Sequence, residues 1–152
     1  GLRWPVAGEP GGALRMAALL KSRTLSVSIN CDPKKLYEFV SKPENLPKWA
    51  KMFCRSIKKS KGEWIVETPQ GPVKVKFSKR NDFGILDHYV SPSPGVEVFV
   101  PMRVVPNGSG SEVLFTLFQP VGMSDEKHAE DIRWVEQDLR NVRSIGERQS
   151  KR

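Results

Sequence analysis

The sequence predicts an α+β domain, an antiparallel sheet with helices on one side and a long helix at its C-terminal end. Three observations carry this. Short segments between residues 23 and 121 alternate apolar and polar side chains with the period of a half-buried strand. Gly-, Pro- and Asn-containing breaks of a few residues join these segments, which suits hairpins rather than helical crossovers. In residues 124–146 the period changes: Ile132, Val135, Leu139, Val142 and Ile145 recur at three- and four-residue spacing, an amphipathic helical stripe.

Taken in order, "RTLSVSINC" (23–31) places Leu25, Val27 and Ile29 on one face and Thr24, Ser26 and Ser28 on the other. "DPKKLYEFVSK" follows, with Asp32 suited to cap a helix and Pro33 to occupy its first turn. Pro43 ends that helix, and "PENLPKWAKM" predicts a second, short and irregular one. Strands are expected at 54–60, 62–69, 73–79 and 84–90, with Asn81-Asp82 turning the chain. A loop is expected at 91–95, then a long strand at 96–105, bent near Pro101. A hairpin loop at 106–111 precedes the last strand, 112–121. Ser124 is placed to cap the long helix, with Asp125 and Glu126 at the positive end of its dipole.

The chain of 152 residues suits one domain, 38% apolar and 28% charged. We divide it into a poorly ordered leader (1–22), the folded domain (23–147) and a basic tail (148–152). The leader's apolar patch, Met16–Leu20, is too short for a secretory signal or a membrane span. Much of the net charge of +8 lies at the ends. Arg3, Arg15, Lys21 and Arg23 against Glu9 leave +3 in residues 1–23, and Arg148, Lys151 and Arg152 against Glu147 leave +2 in 147–152. The body keeps +3. Within it, residues 34–61 are lysine-rich, but the aromatics there (Phe39, Trp49, Phe53) look like core. That argues against nucleic acid as a partner, because such a surface interleaves exposed aromatics with Arg. Cys31 and Cys54 form no C-x-x-C pair, and a reducing, cytoplasmic setting is the simpler expectation.

The element order, together with "DPKKLYEFVSKPENLPKWAKMF" (32–53), resembles the START/polyketide-cyclase superfamily, also called SRPBCC or helix-grip proteins. The matching features are Asp32-Pro33, a helix ending in Phe39-Val40, the segment Pro43-Glu44-Asn45-Leu46-Pro47-Lys48-Trp49, and the long closing helix. "SDEKHAEDIRWVEQDLRNV" resembles small uncharacterised bacterial members. The resemblance covers roughly residues 24–146. It implies a curved antiparallel sheet of about six or seven strands gripping the last helix, with two short helices after the first strand. It also implies an apolar pocket between sheet and helix. The superfamily holds binders, cyclases and regulators, so its fold does not fix a function, and no catalytic residue carries over.

The residues expected to line that pocket are Phe77, His88, Val96, Val98, Val100, Met102 and Phe115 from the sheet, and Ile132, Val135 and Leu139 from the helix. Asp87 and His88 are neighbours, which suggests an acid–base pair. Strand geometry separates them: His88 shares a face with Leu86 and Val90, and Asp87 points the other way. Arg103 faces solvent unless the bend at Pro101 reverses it. His128 is expected at the surface or as a cap, and Trp134 off the helix's main stripe. On the last strand Leu114, Thr116 and Phe118 form a second apolar face, which leaves room for a homodimer. Two histidines without paired carboxylate spacing suggest no metal site, no phosphate or dinucleotide motif appears, and no cofactor is expected. The function expected is binding of a small hydrophobic or aromatic molecule in the pocket. The alternatives are a cyclase/dehydratase-type enzyme using His88 for proton transfer, and an interaction module using the basic 34–61 face.

Overall fold

A computed structural model describes residues 19–150. The leader and the end of the tail therefore lie largely outside the described residues. Strand β1 (Ser22–Ile29) is followed by helix α1 (Pro33–Val40), a 3-10 turn (Pro43–Asn45) and helix α2 (Leu46–Trp49). Seven strands come next: β2 (Ser56–Ser60), β3 (Glu63–Thr68), β4 (Gly71–Phe77), β5 (His88–Ser93), β6 (Val96–Val100), β7 (Met102–Asn107) and β8 (Gly110–Phe118). Helix α3 (Asp125–Ser150) closes the fold.

All strand pairs are antiparallel. They form two sheets, β1-β8-β7 and β2-β3-β4-β5-β6, so the single sheet of six or seven strands expected from sequence is two sheets and eight strands. The division has a physical cause. Pro101 has no N–H to donate to a ladder, and the expected long strand 96–105 breaks there into β6 of one sheet and β7 of the other.

The preceding strand makes the same crossing. The expected strand 84–90 also splits: residues 84–86 run along the edge of β7, with Val104 N donating to Gly84 O at 2.9 Å and Leu86 N to Met102 O at 2.9 Å. From His88 onward the chain pairs with β4 and β6. β5 extends through Ser93, so only the end of the expected loop 91–95 is a turn. Two chain segments thus pass from sheet to sheet side by side, at Asp87 and at Pro101.

Local chemistry explains the helices. Asp32 accepts from Lys34 N at 3.1 Å and Lys35 N at 3.2 Å, with Pro33 in the first turn. α1 buries Leu36, Tyr37 and Val40. Ser124 Oγ accepts from Lys127 N at 3.1 Å, and α3 starts one residue later. α3 runs to Ser150, beyond the expected end at 146, so the described part of the tail is helical. Gly146 lets α3 lie close to its neighbours: a Cβ there would stand 3.0 Å from Ile29 Cγ2 and 3.1 Å from Leu36 Cδ1. We predict that Gly146→Val destabilises the fold by about 2 kcal/mol through overpacking, a shift readable in urea unfolding midpoints.

One apolar cluster joins both sheets and all three helices, with Leu36, Val66, Val113 and Val142 fully buried at its centre. Cys31 and Cys54 are buried free thiols. Burial raises both pKa values, that of Cys54 to about 11 with the Asp138 charge adding to the effect. Such thiols are unreactive near neutral pH.

A candidate ligand cavity between sheet and helix

The inner face of the five-stranded sheet is set by register. Val75 pairs with Val90 and Phe77 with His88 across β4 and β5, and His88 pairs with Val100 and Val90 with Val98 across β5 and β6. Directly opposed residues share a face, so these side chains form one apolar surface. α3 packs mainly on β1 and α2. The space left between α3 and the five-stranded sheet is a partly open cavity of about 530 Å³. Its walls include Val73, Val75, Phe77, His88, Val90, Val98, Val100 and Met102 from strands β4 to β7, Phe115 and Leu117 from β8, Trp49 and Phe53 from α2 and its exit, and Trp134, Val135 and Asp138 from α3.

Of the residues expected from sequence, Phe77, His88, Val98, Val100, Met102, Phe115 and Val135 line this cavity. Three do not. Val96 sits at the outer end of β6 and is 45% exposed. Ile132 packs against the core beside the cavity, and Leu139 is within the core itself. Val135 and Asp138, not Leu139, present the α3 surface here, because a helix stripe broad enough to cover both β1 and a cavity puts its centre on the packed side.

His88 begins β5 at the crossing between the sheets. Its ring lies between two phenyl rings, with centroids 6.2 Å from Phe77 and 6.0 Å from Phe115. Nδ1 is 2.9 Å from the Leu86 carbonyl. A carbonyl only accepts, so Nδ1 carries the hydrogen and Nε2 of the neutral ring is an acceptor. Burial lowers the His88 pKa, opposed by the Leu86 hydrogen bond and the Asp87 charge. Asp87 makes no dyad with it. The Asp87 carboxylate is buried and accepts from Met102 N at 2.7 Å. Its carbonyl accepts from Ser78 N at 3.1 Å and Ser78 Oγ at 2.5 Å. The expected outward-facing acid is a buried brace between the two crossing segments.

Asp138 went unnoticed in sequence, although the pattern Val135, Asp138, Leu139, Val142 puts a carboxylate inside the apolar stripe. It is buried and accepts from Met52 N at 3.0 Å, tying the chain after α2 to α3. Burial pushes its carboxyl up to about 6, against the lowering effect of the Met52 and Phe53 N–H groups. A carboxyl raised in the folded state favours folding fully below its unfolded pKa, near 4, and that contribution is lost as pH rises through about 6. We predict that the wild type loses on the order of 1–2 kcal/mol more stability than Asp138→Asn between pH 4 and 7, allowing for solvent screening. Urea unfolding across that range measures the difference.

One further expectation is corrected. His128 is buried beneath β8, with Nε2 3.3 Å from the Leu117 carbonyl, because the β8–α3 connection folds the start of the helix under the sheet. Trp134 lines the cavity, with Lys127 Nζ 5.3 Å from its ring centroid. Arg103 is exposed on β7. Leu114, Thr116 and Phe118 are half-buried within the chain. The cations at the cavity rim are largely engaged: Lys127 bonds Asp131 at 2.8 Å, and Arg80 pairs with Glu38. The lysines of residues 34–61, with Arg55, are all exposed and spread over α1, α2, β2 and the turns between them. Among the described residues no group of three His, Cys, Asp or Glu side chains could hold a metal ion. No described helix is long and apolar enough to cross a membrane.

The architecture is the helix-grip fold, and solved structures share it. XoxI from Bacillus cereus superposes with a TM-score of 0.69 at 20% identity, over 84% of this chain and 96% of that one. Ara h 8.0201 gives 0.63 at 17% identity, over 84% and 97%. A protomer of the Aha1 dimer from Colwellia psychrerythraea gives 0.67 at 14% identity, again over 84% and 97%. No protein-family model matches the sequence, and comparison with curated proteins finds no match. At these identities the likeness defines a class of fold.

Proposed function

We propose that the protein binds a small apolar or aromatic molecule in the cavity between the five-stranded sheet and α3. The observation that carries this is the cavity itself: about 530 Å³, walled by Val, Phe, Met and Trp side chains. That volume is within the range of sites for drug-sized ligands, and apolar walls with a few polar groups are their usual form. The polar groups at its walls are few and mostly committed. Thr68 Oγ1 donates to Gly71 O and Ser78 Oγ to Asp87 O. Such a wall gains free energy when an apolar body displaces water from it.

The test uses N-phenyl-1-naphthylamine, a neutral probe that fluoresces in apolar surroundings. Saturable one-to-one binding is expected, weakened about tenfold or more in Val90→Trp, where an indole fills the space beside Val75 and Val98. Circular dichroism establishes that the variant is folded, and Val98→Trp is a second fill from the neighbouring strand. The proposal fails if the wild type shows no saturable binding, or if both folded variants bind as well as the wild type.

A further inference from the structure

We infer that His88 is the specificity-determining residue of this cavity: its Nε2 accepts one hydrogen bond from the ligand, so the site selects neutral apolar molecules bearing a hydroxyl or N–H group and disfavours carboxylates. This rests on the cavity being a binding site and adds which chemistry it prefers.

His88 Nδ1 is committed to the Leu86 carbonyl at 2.9 Å, which fixes the tautomer and leaves the Nε2 lone pair free. Among the described residues no protein group donates to Nε2. Nor is Nε2 sealed away. Trp49 Nε1 is the one fully enclosed side-chain nitrogen or oxygen without a partner among the described residues, so Nε2 keeps accessible surface. His88 is itself one of the residues that line the cavity.

The ring is also held in place. Phe77 and Phe115 flank it, and its strand neighbours pair on both sides, so the acceptor has a fixed position. A rigid acceptor in an apolar wall discriminates strongly, because a ligand that cannot donate leaves it desolvated and unpaired. The imidazole stays neutral, its pKa lowered by burial. It therefore offers no cation to a carboxylate. Two carboxylates, Asp131 and Asp138, line the wall and repel an anion when ionised, while two of the three lining cations, Lys127 and Arg80, are already paired with Asp131 and Glu38 and the third, Lys42, is exposed.

Three ligands of one skeleton test this: 2-naphthol donates, 2-methoxynaphthalene does not, and 2-naphthoate is an anion. A phenol stays protonated at pH 7, as the tyrosine hydroxyl does. Calorimetric titration of the full chain is expected to show 2-naphthol binding about five- to tenfold tighter than 2-methoxynaphthalene, with 2-naphthoate weakest. In His88→Phe the preference for the naphthol disappears while 2-methoxynaphthalene still binds. ¹⁵N NMR gives a readout that a structural role would not move: the wild-type Nε2 resonance shifts with 2-naphthol and not with 2-methoxynaphthalene. Equal affinities of these two ligands for the wild type, with no Nε2 shift, overturn the inference and leave the apolar site standing, whether or not the variant folds. Binding of neither overturns both.

Discussion

Gly84→Ala is expected to lower unfolding free energy by about 3 kcal/mol or more, because an added methyl meets a closer contact here than at any other described glycine. Gly84 has φ +70°, and a Cβ there would stand 2.1 Å from the Val104 carbonyl oxygen. Positive φ alone costs a non-glycine residue about 1 kcal/mol. The clash is with backbone, which no rotamer change relieves. The same carbonyl region belongs to β7, whose Val104 N donates to Gly84 O. Relieving the clash therefore pulls residues 84–86 off the edge of the three-stranded sheet. Chemical unfolding gives the stability loss. A variant within 0.5 kcal/mol of the wild type would mean that this edge is not packed as described.

Asp87→Ala is expected to cost about 2–3 kcal/mol. It removes a buried carboxylate and leaves the Met102 N–H, also buried, without its 2.7 Å acceptor. Asp87→Asn keeps an acceptor oxygen and should lose less than half as much. The comparison separates two roles for this residue. A brace between the segments that cross at Asp87 and Pro101 is rescued in stability by Asn. An acid serving His88 would leave stability nearly unchanged in both variants. Equal and small losses in Ala and Asn variants would contradict the brace.

These two residues also show where the sequence stops being legible. Alternation in Val73–Phe77 and Leu25–Ile29 determined which side chains face inward, because a period of two maps onto a pleated strand without further information. The face of His88 followed from the same rule. The crossing between sheets did not. Pro101 signalled a break, but nothing local to Gly84 or Asp87 says that a second strand must break beside it; that follows from pairing with residues about fifteen to twenty positions away. Val96 continued the alternation yet lies beyond the cavity, since periodicity gives a face and not a depth. Ile132 and Leu139 illustrate the same limit on α3. The stripe marks the packed side of the helix, and the cavity lies at its flank, where Trp134 and Asp138 reach it. His128 was misplaced because its burial depends on the return of the β8–α3 connection.

The central claim is that an apolar molecule occupies the space between the five-stranded sheet and α3. Methyl NMR during titration with 2-naphthol tests it most directly. Saturable shifts are expected at Val75, Val90, Val98, Val100 and Met102, all on the cavity wall, with Val105 and Val121 unmoved. Shifts that gather instead at exposed methyls such as Val96 and Val121, or that fail to saturate, would contradict it.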